Sequence, residues 1–202
     1  MDQQFWDELY GSREQLFSGA VNGVLVTETA ELPVGRALDL GCGEGGDALW
    51  LAGRGWQVTA TDISRTALDR AAATAAEAGL TEKVTWTHAD LSRTPPAADS
   101  FDLVNAHYFP LEVEPGHAAL RALLAAVAPG GTLLYVGHDV TGLTADDTHG
   151  FDPHAFYKPA EVAALLDDRW TVLVDETRAR TTPAPEGTHH THDTVLRARR
   201  RD

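Results

Sequence analysis

The stretch that most constrains this chain is LDLGCGEGGDA, residues 38–48, in which an apolar run breaks into four glycines within six positions. Leu49 and Ala52 then resume at helical spacing. A short strand that turns sharply through glycines and re-emerges as a helix opens a βαβ unit, and it places backbone N–H groups at the helix start. Gly41, Gly43 and Gly46 fit G-x-G-x-x-G, while Gly41, Gly43 and Gly45 fit the tighter G-x-G-x-G. The loop alone leaves both readings open.

The remaining sequence repeats the alternation. Strands are predicted over 36–40, 57–62, 83–90, 101–107 and 132–138, and two more near 170–176 and 193–199. Between them, Ser64 is placed to cap an alanine-rich helix that stops at Gly79, Leu120, Leu123, Leu124 and Val127 mark a helix face ended by the PGG of 129–131, and Pro159 opens a further helix. The pattern predicts a single α/β domain: a doubly wound, Rossmann-like, seven-stranded, mostly parallel sheet.

Charge limits the partners. Thirty Asp and Glu against sixteen Lys and Arg give a formal charge of −14, which repels nucleic acid and anionic membrane surfaces. The four arginines within 197–201 are read as a solvated end. One cysteine rules out an intramolecular disulfide, and MDQQFWDELY lacks a signal-peptide pattern, so a cytoplasmic location is expected, with no nucleic-acid or membrane partner.

In an open parallel sheet, ligands lie beyond the carboxyl ends of the strands. Those ends carry Asp39, Asp62, Asp90, Asn105 with His107, and His138. Three carboxylates at three successive strand ends, with Glu44 and Asp47 in the loop, oppose a pyrophosphate and favour a ligand bearing cationic groups.

The ordered set LDLGCGEG, TATDIS, HADL, FDLV and PGG resembles the class I S-adenosylmethionine-dependent methyltransferases over roughly residues 36–138. The resemblance implies an antiparallel C-terminal strand among the two strands that close the sheet after residue 170, S-adenosylmethionine as cofactor, S-adenosylhomocysteine as product, and a set of roles. Asp39 stands near the ammonium group, and Gly41, Cys42 and Gly43 form the turn along the methionine portion. Asp62 accepts from the ribose hydroxyls, and its loss would weaken cofactor binding with little effect on the fold. Ile63 packs on the adenine, Asp90 and Leu91 meet its edge, and Asn105 lines the sulfonium region. The lead FWDELYGSREQLFSGAVN (5–22) resembles that of the tellurite-resistance and thiopurine S-methyltransferase group, although Phe17 and Val21 stand where such leads often carry Trp and Pro. This divides the chain into a helical lid (1–31, with Trp6 and Tyr10 over the cofactor), a cofactor-binding core (36–138) and an acceptor-side loop with closing helix and strands (139–202).

A chain this short implies a small acceptor, met by Phe17, Tyr108 and Phe109. A thiol or other chalcogen nucleophile comes first. An oxygen or nitrogen acceptor, a dinucleotide-dependent oxidoreductase and a noncatalytic adenosylmethionine-binding protein are the alternatives. His107 and His138 are the candidate catalytic bases, although a soft nucleophile that ionises near neutral pH needs positioning more than a base. Cys42 is read as a small buried residue in the turn. HHTHD (189–193) is read as a loop entering the last strand, and no metal is expected.

Overall fold

In a computed structural model, residues 1–91, 93–141, 152, 155–182 and 191–202 are described. Seven strands, β1 (Arg36–Leu40), β2 (Gln57–Asp62), β3 (Val84–His88), β4 (Phe101–His107), β5 (Val127–His138), β6 (Trp170–Ala179) and β7 (His192–Arg200), form one sheet in the order β3-β2-β1-β4-β5-β7-β6. The first five pair in parallel, while β7 is antiparallel to both β5 and β6. This is the doubly wound, mostly parallel sheet expected from the alternation of strand and helix, with the antiparallel C-terminal strand that the resemblance implies.

Alternate residues of each strand face opposite sides. One side packs Ala37, Leu103, Leu134 and Val195 with α2 (Gly23–Thr29) and α3 (Gly46–Gly53). The other packs Leu38, Val104, Leu133 and Leu196 with α5 (Ala118–Ala126) and α6 (Pro159–Ala164). Asp39, Asn105 and His107 share the odd-numbered register of Ala37 and Leu103, so they point to the α3 side. α4 (Arg65–Glu77), capped by Ser64 as expected, runs beside β2 and β3, and α1 (Gln3–Gly11) lies against it.

Two boundaries, and the setting of the arginine-rich end, differ from the sequence reading. α5 ends at Ala126, and Val127 pairs with Phe101 as the first residue of β5, so the PGG lies within β5 and does not precede it. β3 ends at His88, leaving Asp90 in the following turn. The arginine-rich end is only partly solvated: Arg197 reaches Glu28 on α2 at 3.2 Å, and Arg200 pairs with Asp99. Among the described residues, no helix is long and apolar enough to cross a membrane. No metal-holding group of three or more His, Cys, Asp or Glu occurs among them either, and His189 and His190 lie outside them.

Candidate active site

The sheet reverses direction of winding between β1 and β4, and the glycine turn lies at that switch point. Gly41 and Gly43 have φ of +64° and +52°, in the left-handed region that glycine enters freely. The turn is also closely covered. A Cβ on Gly41 would lie 2.7 Å from the Phe109 ring, and one on Gly43 would lie 2.8 Å from the Tyr10 hydroxyl.

Beneath the turn is a buried polar network. Asp39 and Asn105 are register partners on β1 and β4, so their side chains stand side by side. Asn105 Nδ2 donates to Asp39 Oδ1 at 2.8 Å and to Asp47 Oδ2 at 3.3 Å. Its carbonyl Oδ1 meets His107 Nδ1 at 2.7 Å. Two atoms of the network are buried without a partner, Asp39 Oδ2 and His107 Nε2. Burial, then the nearby Asp47 charge, pushes the Asp39 carboxyl well above the usual carboxylate range. Burial also holds the His107 imidazole below its ordinary value.

Asp62 is committed on both oxygens. It accepts from Gly43 N–H at 2.9 Å and Ser64 N–H at 2.8 Å, and its pKa is raised by burial against those stabilising bonds. It therefore holds the turn itself, so the expectation that its removal would spare the fold is corrected. Cys42 is half-buried, where the sequence reading expected it fully enclosed, and desolvation, first of all, pushes its thiol well above the usual value, which disfavours the reactive thiolate.

The lead segment is tied to this turn by the carboxylates that the sequence reading took only as sources of repulsion. Glu44 accepts from Leu16 and Phe17 backbone N–H and pairs with Arg70 at 2.9 Å. Asp47 accepts from Asn22 N–H at 2.8 Å and Asn22 Nδ2 at 3.0 Å. On α1, Asp7 accepts from Ser64 Oγ and Thr66 N–H at the start of α4. Trp6, Tyr10 and Phe17 form an aromatic run, with Tyr10 buried and Phe17 exposed. Ile63 is half-buried beside Asp62, Leu91 turns into the core, and Asp90 stands near Arg93 at 3.5 Å.

The two histidines occupy different environments. His107 belongs to the Asn105 network, whereas His138 stacks on Tyr108 with centroids 4.0 Å apart. Arg180 Nη1 donates to the Tyr108 hydroxyl at 2.8 Å and to Asp193 at 3.0 Å, and it reaches His138 Nδ1 at 3.4 Å. Tyr108 also donates to Asp193 at 2.9 Å. Sequence reasoning missed Asn22, Asp47, Arg180 and Asp193 as site residues, because nothing local links them. Only the pairing of β7 with β5 sets Asp193 opposite His138.

The network fits S-adenosylmethionine. An unpaired, buried carboxylate oxygen suits an ammonium group, and the left-handed glycine turn presents backbone with no side chain of its own, under the cover of Phe109 and Tyr10.

Residues 37–131 match the family model described as a methyltransferase domain. The 2-heptyl-1-hydroxyquinolin-4(1H)-one methyltransferase of Mycobacteroides abscessus is 33% identical over 68% of this chain and 60% of its own length. The probable thiol methyltransferase 2 of Arabidopsis thaliana is 33% identical over 54% and 49%. The chain thus spans between about half and three-fifths of these relatives. A solved structure described as "Conversion of a Disulfide Bond into a Thioacetal Group during Echinomycin Biosynthesis" superposes with a TM-score of 0.76 at 24% identity, covering 98% of this chain and 92% of that one. The ordered motifs, the seven-stranded sheet and these matches agree, and residues 37–131 carry an S-adenosylmethionine-dependent methyltransferase domain.

Proposed function

We propose that this protein transfers a methyl group from S-adenosylmethionine to a small-molecule nucleophile, foremost a thiol or other chalcogen compound. The observation that carries the reading is one continuous network in which a buried, unpaired carboxylate oxygen of Asp39 and a buried, unpaired imidazole nitrogen of His107 are joined through Asn105.

In this reading Asp39 holds the ammonium end, Gly41, Cys42 and Gly43 form the turn along the methionine portion, and Asp62 presents its remaining lone pairs to the ribose. Ile63, Asp90 and Leu91 border the adenine, and Asn105 lines the sulfonium region. The cofactor supplies a methyl on a sulfonium, so a nucleophile's electron pair makes the new bond while the carbon–sulfur pair returns to sulfur. The protein's own contribution is mainly positioning and exclusion of water. Residues 1–31 cover the site through Trp6 and Tyr10, residues 36–138 bind the cofactor, and residues 139–202 complete the acceptor side. Phe17, Tyr108 and Phe109 wall the acceptor. His138, stacked on Tyr108 and facing Arg180, serves that wall, and His107 is the candidate base.

The similarity to a thiol methyltransferase supports a sulfur acceptor. An oxygen acceptor is the second reading, favoured by the buried His107 nitrogen and by the similarity to an enzyme named for a hydroxyquinolinone. Calorimetry with S-adenosylmethionine, S-adenosylhomocysteine and NADH tests the cofactor, and methyl release across matched thiols and phenols tests the acceptor. Binding of NADH alone, or binding without methyl release to any acceptor, overturns the reading.

A further inference from the structure

The hydrogen bonds around Asn105 dictate the protonation pattern of the histidine beyond it. Asp47, as a carboxylate, only accepts, so the Asn105 amide nitrogen, which also reaches Asp39 Oδ1, faces it and the Asn105 carbonyl faces His107. A carbonyl also only accepts. Nδ1 of His107 therefore carries the proton, and Nε2, buried and unpartnered, presents a bare lone pair.

We infer that His107 is a tautomer-locked proton acceptor set by Asn105, and that the site takes neutral X–H nucleophiles, thiols or acidic hydroxyls, in preference to preformed anions such as thiocyanate or iodide. A bare lone pair seeks a donor. The charged groups that act on the ring from neighbouring elements are Asp47 on α3, which approaches Nδ1, with Asp193 on β7 and Arg180 after β6, and Asp39 lies one bond further through Asn105. Their balance is anionic, which disfavours a nucleophile that arrives already charged.

As the reaction proceeds, the X–H proton passes to Nε2 while the pair it leaves on X forms the bond to the methyl carbon. The carbon–sulfur pair remains on sulfur, and the imidazolium proton leaves to solvent with the product. Asp47 Oδ2, 3.5 Å from Nδ1, offsets the imidazolium charge. Burial, which lowers the His107 pKa, keeps the ring neutral and able to accept at neutral pH. Asn105 acts through His107 and is a positioning residue.

This inference rests on the methyl-transfer reading, and its test separates the two. Nitrogen-15 histidine spectra of the unliganded protein are expected to show His107 as the Nδ1–H tautomer, shifting to a mixture in Asn105→Ala. With cofactor binding verified by calorimetry, the wild type is expected to methylate a neutral thiol faster than thiocyanate. His107→Gln is expected to cut thiol turnover roughly 100-fold and remove the acidic limb of its pH profile. An Nε2–H tautomer, a preference for thiocyanate, or a His107→Gln profile that keeps its acidic limb overturns the inference. A protein that binds no cofactor overturns the methyl-transfer reading instead, and the spectra still decide the tautomer.

Discussion

Asp39 carries opposite demands: it is buried beside Asp47, yet one of its oxygens has no partner. Its carboxyl pKa is raised by burial and by that neighbour, so protons bind it in the unliganded protein at pH values where an ordinary aspartate is ionised. A cation favours the ionised form. Binding S-adenosylmethionine is therefore expected to release a proton, and its affinity is expected to rise as pH climbs through the elevated Asp39 pKa. Calorimetry in buffers of different ionisation enthalpy measures that release, which disappears in Asp39→Asn. Asp62 sets a different expectation, because its two oxygens already hold the Gly43 and Ser64 amides. Asp62→Ala leaves two buried donors unpaired, at about 1–3 kcal/mol each, so it loses stability as well as cofactor affinity. Asp62→Asn retains one acceptor oxygen and loses less stability in a denaturant titration. Both aspartates were legible in the sequence as strand ends. The network was not, since Asp39 and Asn105 meet only through the pairing of β1 with β4.

At the scale of elements, the lead segment is held by donors and acceptors that the sequence does not mark. Its aromatic residues suggest a cover, yet the anchors are Glu44, Asp47 and Asp7, three carboxylates that look like ordinary surface charge. Deleting residues 1–20 removes Asp7, Tyr10 and the Leu16 and Phe17 amides but keeps Asn22, so α2 and α3 remain joined through Asp47. The truncated chain is expected to stay folded by circular dichroism while losing at least about tenfold in cofactor affinity, ~1.4 kcal/mol. Unchanged affinity, or a chain that no longer folds, removes the idea that this segment is a cover. The end of α5 is the complementary case. Helical spacing carried Leu120, Leu123 and Leu124 correctly, but Val127 also fits that spacing and is a β-branched residue at home in a strand. Pairing with Phe101 decided it.

For the whole molecule, the sheet order joins two halves along β4: the glycine turn lies on the β1 side, and β5, β7 and β6 bring the Tyr108, His138, Arg180 and Asp193 group together on the other. Arg180 and Asp193 are ion-paired at 3.0 Å with side chains only 8% and 3% exposed, so each is the other's main source of neutrality. Removing one partner of such a pair strands a buried charge and costs about 3–5 kcal/mol, whereas neutralising both costs less. Arg180→Met is therefore expected to lower unfolding stability by that amount. Arg180→Met combined with Asp193→Asn is expected to recover at least ~1 kcal/mol, because the amide carbonyl still accepts from the Tyr108 hydroxyl. The cofactor half should be indifferent to both changes. S-adenosylmethionine affinity is expected to stay within about twofold of wild type while the acceptor KM rises, since Tyr108 and His138 lose the group that orients them. Denaturant titrations of the three proteins, with calorimetry on each, check this. If the single and double variants are equally destabilised, the pair is not a coupled unit. If cofactor binding falls with it, the two halves are not independent across β4.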